Sequence, residues 1–206
     1  MPCAKRAERP DATPPTPPQI CSLARCLHCA AGAVLALDGV VGSARRLMPR
    51  LRETAGAFGR SDLYADFVEA VNAASLTPEE IEALLAVWTT LYTAAGEFHR
   101  GEWGEDFVVQ PIRRGYYESA MRALVADGRG GDIVWLALYT AGVCANQIHL
   151  HAPAGAANLY LEKWERLLER LGLGSADGFI RGVGQARDYL GRVTEFVETW
   201  GESEGA

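Results

Sequence analysis

Three observations in the sequence predict an all-α fold. Apolar residues recur at helical spacing along almost the whole chain. No run alternates apolar and polar residues between hairpin turns, the pattern a half-buried strand requires. The stretch from Ile133 to Ile148 is sixteen residues without a charge, apolar on every side. A helix packed at a protein surface keeps a polar face, and this one has none. It also falls short of the ~20 residues needed to cross a bilayer. The expected architecture is a single globular bundle of seven to eight helices with this segment buried at its centre.

The elements follow in order. Residues 1–18 read as a disordered, proline-rich arm, 19–200 as the helical domain and 201–206 as a polar tail. Basic residues in the arm followed by "ICSLARCLHCAAGAVLAL" imitate a secretory leader, but prolines interrupt the join, and Arg25 and His28 dilute the apolar part. That stretch reads as the first helix. A second covers 44–58 and is expected to begin at Pro49, because an interior proline costs about 3 kcal/mol.

Leu63, Phe67 and Val71 mark a third helix. In "SLTPEEIEALL", Thr77 can cap, Pro78 suits the first helical position, and Glu79 and Glu80 favour the positive helix end. Ile81, Leu84, Leu85, Trp88, Leu91, Tyr92 and Ala95 then fall on one face. "GEFHRGEWGEDFVVQP" reads as a loop with a turn or two of helix, and 113–127 as a further helix before the glycines at 128–131. Beyond the central segment, stripes run through Leu161, Trp164, Leu168 and Leu171, then through Ala186, Leu190, Val193, Val197 and Trp200.

A net charge of -6 and a pI near 5.3 argue against a nucleic-acid binder or a protein held on anionic lipid. Basic or amphipathic partners fit better. The five cysteines are odd in number and four crowd the N-terminus, which points to a reducing compartment rather than a disulfide framework. The end "FVETWGESEGA" is polar, so no direct membrane anchor is expected there.

Two local patterns carry a resemblance. "YESAMRALVADGRGGDIVWLALYTAGVCA" (117–145) has an amphipathic helix ending in Asp127-Gly128, then Gly131, then an apolar helix with the small pair Ala141-Gly142. "DGFIRGVGQARDYL" (177–190) places Phe179-Ile180, Gly184 and Tyr189 at matching offsets, with Gln185 and Ala186 as departures. Upstream, "LMPRLRETAGAF" offers Leu47, Leu51, Arg52 and Phe58, with Ala55 and Gly56 departing. In this order the three stretches resemble the homology motifs of the Bcl apoptosis-regulator family, particularly its divergent viral members.

The resemblance implies a receptor without catalysis or cofactor, in the host cytoplasm and brought to mitochondria by partners. It implies that amphipathic helices of pro-apoptotic host proteins lie in an apolar trough, suppressing cell death. Helices around 44–58, 62–73 and 111–127, with the start of the central helix, frame that trough. Its candidate residues are Phe58, Tyr64, Phe67, Met121, Leu124, Val125, Gly131, Asp132, Val134 and Leu138, with Arg129 at the rim. Asp132 stands where the family has an arginine that pairs with an aspartate of the bound helix. It would repel that aspartate unless Arg129, one turn earlier, supplies the cation. A homodimer is compatible with this reading.

Other constellations were weighed. Cys21-x4-Cys26-x2-Cys29 has a spacing found in iron–sulfur proteins, and with His28 it could hold zinc, but an apolar cysteine-rich helix face explains it as well. Glu97, His99, Glu102, Glu105 and Asp106 lack the Glu-x-x-His pattern of di-metal bundles. "GDIVWLAL" is similar to a segment of all-α nucleotide pyrophosphohydrolases, and a metal-dependent hydrolase is the alternative function. There Arg129 occupies the position of a metal-binding glutamate, leaving Mg²⁺ short of ligands.

Overall fold

Thr16 and Gln19 open the first helix: the Gln19 side chain accepts the Thr16 backbone N–H at 2.8 Å. In the computed structural model, which describes residues 14–40, 43–73, 76–98 and 108–204, all regular elements are helical. They are α1 (Pro17–Leu37), α2 (Leu47–Ala57), α3 (Ser61–Ala70), α4 (Pro78–Phe98), α5 (Arg114–Ala126), α6 (Val134–His151), α7 (Ala154–Arg170) and α8 (Ala176–Glu204). Short tight turns of helix at Ala44–Arg46, Pro111–Arg113 and Gly130–Ile133 lead into α2, α5 and α6.

Helix boundaries depart from the sequence reading at three places, each with a local reason. α1 starts at Pro17, inside the expected arm, because prolines in a first turn sacrifice no intrahelical hydrogen bond. α2 starts at Leu47 rather than Pro49, which stands third in the helix, still among the N–H positions that lack an intrahelical partner. α8 runs through Glu204, taking in most of the expected tail. The loop expected over 96–111 falls largely on residues 99–107, outside the described residues.

α4 begins as its sequence requires. Thr77 donates its N–H to Glu80 at 2.8 Å and accepts the Glu80 N–H at 3.3 Å, a reciprocal cap. All seven residues of its apolar stripe are buried. Their partner is α6, the centre of the bundle, with α1 and α7 on its other sides. Thirteen of its eighteen residues are buried.

Polar groups inside this core find partners where they can. Trp135 Nε1 donates to the Ala24 carbonyl of α1 at 3.1 Å, and Trp88 Nε1 donates to Thr140 Oγ1 at 2.7 Å. Gly142 sets the spacing: a Cβ there would lie 3.1 Å from Cys21 Sγ and 3.6 Å from the Trp164 ring. A small residue is what lets α1 and α7 close on α6. Gly128, at φ +70°, reverses the chain after α5, and the Arg129 N–H then bonds the Leu124 carbonyl at 2.8 Å. That closure aims Arg129 back toward the start of α6.

Candidate functional site

Asp132 is the only acidic residue among the buried ones described, at 2% exposure. Both of its oxygens are taken. Arg129 Nε donates to Oδ2 at 2.8 Å, and Arg52 Nη2, from α2, reaches Oδ1 at 3.3 Å. The Tyr64 hydroxyl of α3 donates to Oδ1 and accepts from Arg52, whose guanidinium lies 4.5 Å from the Tyr64 ring centroid. Burial works against the Arg52 charge, yet the Tyr64 hydrogen bond and the Asp132 carboxylate hold its pKa above the ordinary value. Burial, then the hydrogen bond to Asp132, raises the Tyr64 pKa.

Two guanidiniums against one carboxylate leave a surplus of one positive charge. Arg52 stays about half exposed at 46% and Arg129 a quarter exposed at 26%, so the surplus faces solvent. Expected repulsion by Asp132 is therefore reversed: the aspartate is neutralised inside, and the rim is cationic. Arg129 supplies one cation, as its spacing allowed. Arg52 supplies the other, and the sequence reading had left it out of the site. Its signal was present in the Leu47-x3-Leu51-Arg52 pattern, which puts it on the helix facing the trough.

A second contact ties the Ala44–Arg46 turn before α2 to α5. The Arg45 guanidinium sits 4.4 Å from the Tyr116 ring, at the opposite end of α5 from Arg129 and Asp132. Between these two ends α5 packs mainly on α4 and on the Gly130–Ile133 turn, with few direct contacts to α2 or α3. Only Tyr117 and Met121 of its thirteen residues are buried. Leu124 and Val125 are half-buried and Tyr116 is exposed. A shallow, partly apolar face with arginines at both ends results.

The residues assigned to the trough from sequence divide in two. Tyr64, Leu124, Val125 and Arg129 are partly exposed around this face, whereas Phe58, also partly exposed, packs against Phe196 of α8 with ring centroids 5.6 Å apart, a further correction to the expected lining. Phe67, Met121, Val134 and Leu138 are closed core, corrections to the expected lining. Phe67 stands edge-on to Tyr189 at 5.5 Å and to Trp135 at 6.3 Å, which leaves no apolar face to offer. Asp132 is likewise inside, a buried anchor for the rim rather than part of it. Gly131 holds no close approach; a Cβ there would make ordinary contact with the Ala73 carbonyl at 3.7 Å. In the 177–190 stretch, Gly184 meets open space, while Gly178 and Gly182 make the close approach of α8 to the preceding turn.

Two adjoining apolar cavities lie elsewhere, between α1 and α8. One, of about 480 Å³, is lined by Leu23, Phe179, Val183 and Leu190; the next, of about 540 Å³, by Ala30, Val193 and Val197. Cys26 and Leu190 line both. The stripe read on α8 explains them: the buried face turns through Tyr189, Val193 and Phe196, leaving Leu190 36% exposed.

The metal readings gain nothing. Cys21 is buried against Gly142 whereas Cys26 and Cys29 are exposed, so the three thiols do not converge. Burial pushes the Cys144 thiol well up. His99, Glu102, Glu105 and Asp106 lie outside the described residues, and among those described no three metal-binding side chains cluster. Two helices, Pro17–Leu37 and the span Gly130–His151, are long and apolar enough to cross a membrane by length and composition, with half and 78% of their apolar windows buried in the bundle.

Fold and site define an all-α bundle with a largely buried central helix and a cationic, partly apolar face beside α5. No family model matches the chain, and neither a curated protein nor a solved structure does.

Proposed function

We propose that this chain is a non-enzymatic regulator of cell death that binds amphipathic helices of pro-apoptotic partners on the face between α2, α3 and α5. The observation that carries the reading is the Arg52–Asp132–Arg129 cluster: it puts a positive surplus beside half-buried Tyr64, Leu124 and Val125. An amphipathic helix with one acidic residue among its apolar anchors complements such a surface. Each anchor fully buried contributes about 1.5–3 kcal/mol, and association and ordering of the peptide offset several kcal/mol. A few anchors therefore give micromolar to nanomolar binding (~8–12 kcal/mol). The resemblance to the Bcl family names the class of helix; the arginines name the charge it carries.

Fluorescence-polarisation titration of the chain against a panel of such peptides tests this. Each peptide is paired with a control lacking its central leucine and aspartate. Submicromolar binding lost by the control is expected, and Arg52→Glu is expected to weaken it by about tenfold or more, as loss of a close charge pair does. Equal binding of peptide and control, or none at all, contradicts the reading.

A further inference from the structure

The groove between α1 and α8 shares no lining residue with the Arg52–Asp132–Arg129 cluster. We propose that Cys26, with Cys29 one turn later, is a site of S-acylation, and that the attached long-chain fatty acyl group lies in this groove. Three observations converge. Cys26 and Cys29 are the exposed cysteines among those described, whereas Cys21 and Cys144 are buried. Cys26 opens into both cavities, at their junction, and Cys29 into the second. Each cavity, at about 480 and 540 Å³, has the size of a small-molecule pocket (~300–1,000 Å³) and an almost wholly apolar wall of Leu23, Phe179, Val183, Leu190 and Val197.

From Pro18 to Ala33 the groove follows α1 for about 22 Å at 1.5 Å per residue, with Cys26 near its middle, so an acyl chain attached there has about 10–12 Å of trough on either side and folds back to fill both cavities. A thiol on an amphipathic helix is a common acceptor of such a group. Charge fits the donor too. Arg25 and Arg187 line the groove near Cys26, with Glu198 at its far end, so an acyl thioester on an anionic carrier meets cations where it must deliver. The Cys26 thiol loses its proton to solvent and its thiolate attacks the acyl carbonyl. A new sulfur–carbon bond forms, the bond to the carrier sulfur breaks, and the carrier leaves as a thiol after taking up a proton. One thioester replaces another, with no redox change.

The full chain produced in animal cells supplies the test. Thioesters are cleaved with neutral hydroxylamine, and each freed thiol is tagged with a maleimide polymer read as a gel shift. A hydroxylamine-dependent shift is expected, retained in Cys3→Ser and lost in the Cys26→Ser, Cys29→Ser double variant, whose changes are at exposed positions. Absence of the shift, or its persistence in the double variant, overturns the site. Purified chain acylated with a palmitoyl thioester is expected to melt above the unmodified chain, and Leu190→Glu is expected to remove that increment. An unchanged melting temperature on acylation overturns the groove as the resting place. So does protection of Cys26 from alkylation by a partner-helix peptide, which makes the groove a peptide site instead.

Discussion

α5 and α6 adjoin in the chain, separated by the glycine turn that carries Asp132, and they differ as much in burial as two helices of one bundle can. α5 buries two of its thirteen residues, α6 thirteen of its eighteen. Composition already separates them, with Arg114, Glu118 and Arg122 on α5 and no Asp, Glu, Lys or Arg on α6, and their neighbours complete the difference. α6 is enclosed by α1, α4 and α7, and its side chains are consumed by packing. α5 touches mainly α4 and the turn, and keeps Tyr116, Leu124 and Val125 available. Stability resides on one side of that turn, and the proposed recognition face lies on the other.

The largest expected effect is on α6. Trp135 is fully buried, stacked with His28 at 5.3 Å and Tyr139 at 5.5 Å, and bonded to Ala24. Trp135→Ala is expected to cost about 3–5 kcal/mol in urea unfolding. A loss under about 1 kcal/mol, the scale of an ordinary surface change, would erase the distinction between the two helices.

A smaller effect concerns pH. Burial, foremost, raises the pKa of Tyr92, Tyr117 and Tyr189 above the ordinary 10.0, and Tyr64 beside Asp132 is raised as well. The folded state therefore keeps protons that the unfolded state releases near pH 10. Their contribution is complete below that pH and lost as pH rises through the folded values. The urea midpoint is expected to fall from about pH 10 upward, and less steeply in Tyr92→Phe. A midpoint level from pH 9 to about pH 11 would contradict the burial of these hydroxyls.

The smallest effect is on α5. Leu124→Asn is expected to change stability by about 0.5–1 kcal/mol while abolishing peptide binding. A loss comparable with that of Trp135→Ala would show that α5 belongs to the core.

The sequence made the fold legible because helical periodicity and capping are local. The stripe from Ile81 to Ala95 and the Thr77–Glu80 cap needed no tertiary information. The uncharged run from Ile133 announced its own burial. What it could not announce was which apolar residues remain uncovered: Phe67 and Tyr64 stand three apart on α3, and one is core while the other borders the face. That depends on the few contacts between α5 and α2, a property of the assembled bundle. The Arg52–Asp132 pair spans eighty residues, so the local reading, which offered Arg129 alone as the cation beside Asp132, missed the second arginine. The groove beside Cys26 escaped for the same reason, because an amphipathic stripe on α8 looks alike whether a neighbour covers it or not.

Amide chemical-shift mapping of the chain with a binding partner-helix peptide tests the assignment of recognition to α5 most directly. Perturbations are expected to concentrate at Tyr64, Leu124, Val125 and Arg129, with the interior of α6 quiet. Perturbations centred on Leu23, Val183 and Leu190, or none above those of the leucine- and aspartate-free control, would contradict it.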